Sequence, residues 1–230
     1  MNFIVWLVVN FLGVQVALYS FGKIRIKNPN KFPSWIQLHR DSDGFYFQVS
    51  FMNKTPFMKV YDWIQIGHLS TITYHYANID GREWSIYYIF AMFLSTIGFG
   101  ILSQVKQIGQ ITLTWNCLKN LTKYDKIYLG IVANSLILLM GYHFYLAYLT
   151  NICVEYSLSF VSIVSAYTLL YQFWLKDTQT GQFHVHHWFC GWFFSLFFRF
   201  DTPISKLACM ILYGIFLQGA TAFNVTIIIT

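Results

Sequence analysis

Charge is what this chain has least of. Of its 230 residues nine are Asp or Glu and fifteen are Lys or Arg, 10% in all. A soluble domain carries ~25%, so the deficit excludes an ordinary water-facing surface. The four cysteines, Cys117, Cys153, Cys190 and Cys209, show no Cys-x-x-Cys spacing, and three lie within apolar runs. That pattern excludes a disulfide framework and reads as small buried hydrophobes. A phosphate-binding glycine loop, a Ser-His-Asp arrangement and His-Glu-x-x-His are all missing, which removes the nucleotide, acyl-transfer and zinc-protease signatures. The lysines are scattered rather than gathered on one face, so nucleic acid is not an expected partner.

What is present is apolar and aromatic. Hydrophobic residues make up 56%, with Phe 23, Tyr 16 and Trp 8, and the mean hydropathy is +0.48. Six apolar runs cover 3–20, 86–103, 127–150, 152–175, 183–198 and 204–223. A helix needs ~20 mostly apolar residues to cross ~30 Å of hydrocarbon, and backbone amides find no water there. The sequence therefore predicts an all-α fold: a polytopic transmembrane helical bundle of about six spans. Its parts are a first anchor over 1–20, a basic loop over 21–85 and a five-span domain over 86–230. Trp84, Tyr87, Tyr88, Tyr124, Tyr128, Trp174 and Trp188 stand at span edges, where amphipathic rings favour the headgroup layer.

Only Met1 and Asn2 precede the first run, and Ala17-Leu18-Tyr19 is a poor cleavage site, so the run reads as a retained anchor rather than a signal peptide. Within the basic loop, 45–51 has the period-two look of a strand. The stretch 59–76 reads as an amphipathic helix lying along the membrane surface. The run 127–175 is too long for one crossing and must fold back, with Asn151 as the turn and cap of the next helix. Glu155 then lies near that helix's N-terminus, where its charge is favoured. Counting Lys and Arg by side gives ten residues with the long loop (Lys23 to Arg82, then Arg199 and Lys206) and five opposite (Lys106, Lys119, Lys123, Lys126 and Lys176). The positive-inside rule places the long loop on the cytosolic or matrix side and both termini on the other.

The densest chemical constellation is His184, His186 and His187, opening the fifth run after Asp177. On a helix His184 and His187 share a face and could bind one metal ion; His186 joins them only if the helix starts after it. The missing ligands would come from Glu155, Asp177, Asp125 or another chain, since a catalytic zinc usually takes three protein ligands and a structural one four. The competing reading is three amphipathic rings at a span edge, next to Trp188. A haem between His143 and His187 fails on depth. At ~1.5 Å per residue they lie about 14 Å apart along the normal of a ~30 Å core, and axial ligands share one level.

His143 and Glu155 are intramembrane polar groups, the first read as a neutral histidine bonded to a neighbouring helix, the second as a cap. Arg199 and Asp201 read as a local ion pair at a helix end. On the last run Gly214, Gln218 and Gly219 form a helix-packing face, small residues for close approach and an amide to bond across it. The spans hold too few polar groups to line an ion pathway, and the halves show no matching broken helices.

Two functions follow. One is a non-catalytic accessory subunit of a large membrane complex, with other membrane subunits and anionic-headgroup lipids as partners and bound phospholipid as its expected small molecule. Richness in Phe, Tyr, Ile, Asn and Lys suits an AT-rich or organellar genome and points to a mitochondrial inner-membrane, respiratory assembly. The plasma, ciliary or endomembrane system is the alternative location. The other function is an integral-membrane enzyme or redox protein using a metal ion or haem at His184, His186 and His187.

Overall fold

The computed structural model describes residues 1–21, 38–40, 46–48, 60–102, 122–175 and 187–223. Among them are seven helices: α1 (Phe3–Phe21), α2 (Val60–Tyr76), α3 (Ile86–Leu102), α4 (Lys123–Leu149), α5 (Cys153–Leu175), α6 (His187–Ser195) and α7 (Pro203–Phe223). Two three-residue strands, β1 (Leu38–Arg40) and β2 (Tyr46–Gln48), pair antiparallel with His39 opposite Phe47. The chain divides into two compact units. Unit 1 takes Met1–Ile111 with His186–Thr226, and unit 2 takes Thr112–Val185 with Ile227–Thr230. Within unit 1, α1 packs on α3 and α7.

Among the described residues two helices, α4 and α7, are long and apolar enough to cross a membrane. α1, α3 and the first part of α5 are shorter apolar helices. The expected fifth span contributes the nine-residue α6, about 13 Å at ~1.5 Å per residue and too short to cross ~30 Å by itself. Residues 183–186 of that run lie outside the described residues.

Unit 1 is built around α7. Trp6 of α1 meets Tyr213 with ring centroids 4.8 Å apart, and Gly13 lies against Leu217, so α1 and α7 run parallel. On the other side Lys206 donates to the Glu83 carbonyl (3.0 Å), Ser95 to that of Ile211 (3.0 Å) and Thr96 to that of Gly214 (3.1 Å). α3 and α7 are therefore parallel too. α6 is antiparallel to α7: Gly191 faces the backbone at Leu212 and Phe216, and the Cys209 thiol donates to the Ser195 carbonyl (3.6 Å).

α2 lies beside α1 in the opposite direction. Phe3 meets Tyr74 (5.0 Å), the Trp6 indole N–H donates to the Ser70 carbonyl (2.9 Å), and Phe11 stacks on Trp63 (5.3 Å). The face made by Ile66, Ser70, Thr73, Tyr74 and Ala77 is buried; these positions recur every three to four residues, as one helix face requires. The expected surface-lying helix is thus a member of the packed unit. Its buried stripe is half hydroxyl, which matches the polar groups of α1 and α7 rather than a lipid boundary.

Unit 2 is an antiparallel hairpin. α4 starts at a capping box, where Thr122 Oγ1 accepts the Asp125 amide (3.3 Å) and Asp125 Oδ2 accepts the Thr122 amide (3.0 Å). It ends at Asn151, whose φ of 58° is left-handed. The Asn151 amide donates to the Tyr148 carbonyl and the Ile152 amide to that of Ala147, the paired bonds of a Schellman C-cap. Asn151 therefore closes the helix before it instead of capping the one after. Asn78 (φ 53°) ends α2 with the same two bonds, to His75 and Tyr74. Across the hairpin Phe144 meets Tyr156 (5.1 Å) and Phe160 (6.3 Å) edge-on.

Candidate functional site

The expected metal-ligating trio largely lies outside the described residues: His184 and His186 are not among them, and His187 opens the backbone of α6. Asp177 is likewise outside. Asp125 is committed to the α4 capping box. Glu155 is exposed in the first turn of α5. These two carboxylates stand near opposite ends of a hairpin whose first helix has 27 residues, ~40 Å at 1.5 Å per residue, so they do not converge on one ion. Among the described residues no three His, Cys, Asp or Glu side chains gather as a metal site, and Cys153, Cys190 and Cys209 are free thiols.

His143 is fully buried on α4, with Nδ1 2.6 Å from the Leu139 carbonyl oxygen. A carbonyl only accepts, so Nδ1 carries the proton. Through Nδ1 the imidazole bonds back to its own helix.

The built polar site of this protein is the interior of unit 1. Ser70 on α2 is its node: its hydroxyl lies 2.6 Å from Tyr213 Oη and 3.2 Å from Asn10 Oδ1. The Asn10 amide donates to the Trp6 carbonyl (2.6 Å), and the Trp192 indole to the Leu69 carbonyl (3.3 Å). Four helices, α1, α2, α6 and α7, meet through these bonds. Asn10 was visible in the sequence as a polar residue inside the first apolar run, a signal the composition of the run obscured.

A second cluster closes one end of unit 1. Arg82, in the α2–α3 connection, is 3% exposed. It donates through Nη1 to the carbonyls of Phe198 (2.8 Å) and Phe200 (3.4 Å), and through Nε to that of Asn78 (3.2 Å). Its Nη2 reaches Cys209 Sγ (3.7 Å), and the guanidinium lies 4.6 Å from the Trp84 ring centre. Phe198 and Phe200 lie three and five residues past the end of α6, and their carbonyls accept directly from the cation. Asp201 pairs with Lys206 at 2.7 Å, not with Arg199 as the sequence suggested. Lys206 sits five residues on, in the first part of α7, where its side chain folds back over the turn.

A Cβ on Gly214 would collide with Ser95 Oγ and the Met92 carbonyl, so only glycine lets α7 approach α3 this closely. Gly219 is buried. Gln218 is fully buried, yet neither its amide nitrogen nor its oxygen has a partner among the described residues, where a bond across the helix contact was expected.

No protein-family model, curated protein or solved structure is significantly similar to this chain. The functional reading rests on the physical chemistry of the residues themselves.

Proposed function

We propose that the chain is a non-catalytic, multi-pass subunit of a larger integral membrane assembly. The observation that carries this reading is its apolar exterior, with several polar side chains enclosed beside an apolar core. Asn10, Ser70, Thr73, Thr96, Ser195, Ser205, Gln218 and Thr221 are buried, while Ile4 is 73% exposed, Phe90 64% and Leu138 74%. A soluble protein buries the second kind and exposes the first; hydrocarbon as solvent reverses the preference. In lipid no hydrophobic force drives helix on helix, so packing at small residues and interhelical hydrogen bonds must hold the bundle. Gly214, Ser95, Thr96, Ser70 and Tyr213 serve this purpose.

The apolar runs of α1, α3, α5 and the 183–198 stretch complete about six membrane segments beside α4 and α7. Five of the eleven interior polar residues described, Asn10, Ser70, Arg82, Thr96 and Lys206, bond from one element to another, a role that suits a packing subunit. The aromatic exterior supplies contact surface for neighbouring subunits, and the basic segments supply contacts for anionic headgroups. Composition favours the mitochondrial inner membrane and a respiratory assembly.

Purification in mild detergent tests this. Other membrane proteins are expected at stoichiometric yield, and metal and haem analysis is expected to return sub-stoichiometric values. An isolated monomer holding one equivalent of metal or haem, lost on His184→Ala with His187→Ala, would replace the subunit reading by the histidine-centred enzyme.

A further inference from the structure

A helix lying on a membrane surface crosses the end of an upright neighbour and touches it over about one turn. α2 does not. Its contacts with α1 begin where the Tyr74 hydroxyl reaches the Met1 carbonyl (3.3 Å) and continue through Phe3–Tyr74 and Trp6–Ser70 to Phe11–Trp63. From Phe3 to Phe11 is ~12 Å of helix, and from Tyr74 to Trp63 ~16 Å, at 1.5 Å per residue. The two helices share that depth. The direction of α3 demands the same thing: α1 and α3 both run parallel to α7, and two successive parallel helices need a return between them.

We propose, on the reading of unit 1 as membrane-embedded, that α2 is that return. It passes back through the bilayer, so that residues 22–59 and the connection 77–85 lie on opposite faces of the membrane. The supposed sixty-residue loop on one side becomes two shorter connections on two sides, and the N-terminal end of α1 and the C-terminal end of α7 also fall on opposite faces.

The basic residues sort accordingly. The connection from α1 to α2 carries Lys23, Arg25, Lys27, Lys31, Arg40, Lys54 and Lys59, and Lys106 follows α3 at the same end. The other end of unit 1 carries Arg82, Arg199 and Lys206, of which Arg82 and Lys206 are buried and bonded internally. Unit 2 taken by itself sorts the same way. Lys119, Lys123, Lys126 and Lys176 flank the open end of the hairpin, and Thr150-Asn151 at its closed end carries no charge. In unit 1 such a one-sided distribution places the α1–α2 connection on the cytosolic or matrix face, against anionic phospholipid headgroups.

α2 is less apolar than its neighbours: Asp62 lies near its start, and His68 and His75 are exposed. An imidazole at mid-length does not face acyl chains.

Thiol labelling in sealed, oriented membrane vesicles tests the proposal. With the native cysteines replaced by Ser or Ala, Lys54→Cys and Asp80→Cys are each exposed to a membrane-impermeant maleimide before and after permeabilisation. Opposite protection is expected, one position reacting only from outside and the other only from inside. Glu83→Cys is a second reporter for 77–85 should Asp80→Cys fail to accumulate. Lys54 and Asp80 reacting from the same face overturns the return through the bilayer while leaving the membrane reading intact. Labelling of both without permeabilisation, in a protein that alkaline carbonate washes off the vesicles, overturns the membrane reading itself.

Discussion

Arg82→Ala tests the charged cluster at one end of unit 1. The guanidinium is almost wholly enclosed, and its bonds join the α2–α3 connection to the turn after α6 and to α7, both more than a hundred residues further along the chain. A hydrogen bond to a charged group contributes ~1.5–3 kcal/mol, and a partly desolvated cation–π contact ~1 kcal/mol more. Against this stands the cost of burying the charge, which disappears in the variant, and interhelical bonds in membrane proteins measure weaker, ~0.6 kcal/mol on average. With the 2.8 Å bond to Phe198 as the strong one and three longer contacts, the net loss expected is about 2–4 kcal/mol. At ~2–4 °C per kcal/mol for a chain of this size, Tm falls by about 5–15 °C. Heat or denaturant titration in detergent, followed by tryptophan emission, reads this directly because Trp84 lies under the guanidinium. Arg82→Lys keeps the charge and loses the fork, so it is expected to fall between the two. An Arg82→Ala protein within ~0.5 kcal/mol of the parent, the range of an inert surface substitution, refutes this account of the cluster.

Gly214→Ala is expected to cost ~1–3 kcal/mol through overpacking, because its Cβ meets the Met92 carbonyl, which is backbone. Gly13→Ala meets chiefly the flexible Leu217 side-chain end and is expected to cost less; equal Tm losses for the two would contradict the packing argument. Gln218→Leu is expected to be neutral or stabilising by up to ~2 kcal/mol, since the amide is buried without a partner among the described residues; a loss above 1 kcal/mol would reveal a bond to Gln218. At the left-handed turn Asn151→Gly is expected to be tolerated, while Asn151→Ala costs about 1 kcal/mol, measured as the difference in Tm between the two variants.

Helix positions were legible because they depend on neighbours in sequence. The apolar runs at 3–20, 86–103 and 204–223 became α1, α3 and α7 within a few residues, and a hairpin was required between 127 and 175 by length alone. Gly214 as a packing residue followed from its size. The fate of the polar groups was harder to read. Asn151 looked like an N-cap because asparagine serves both ends of helices, and only its positive φ shows which. Arg199 was the nearer partner for Asp201, but Lys206 lies one helical turn into α7 and reaches it at 2.7 Å. Gln218 had the chemistry for a bond and found none among the described residues.

By itself the sequence determined how much of the chain is apolar, where helices form and how long they are, since hydropathy and period are sums over adjacent residues. Tertiary structure alone decided direction: that α1, α3 and α7 run parallel, that α2 turns back beside α1, and that Arg82 belongs with Phe198 and Cys209. Those facts rest on contacts between residues from about 60 to more than 200 positions apart, such as Trp6 with Ser70 and Trp6 with Tyr213. No local propensity encodes them, because the free energy of each contact depends on which other helix brings its side chains to the same depth.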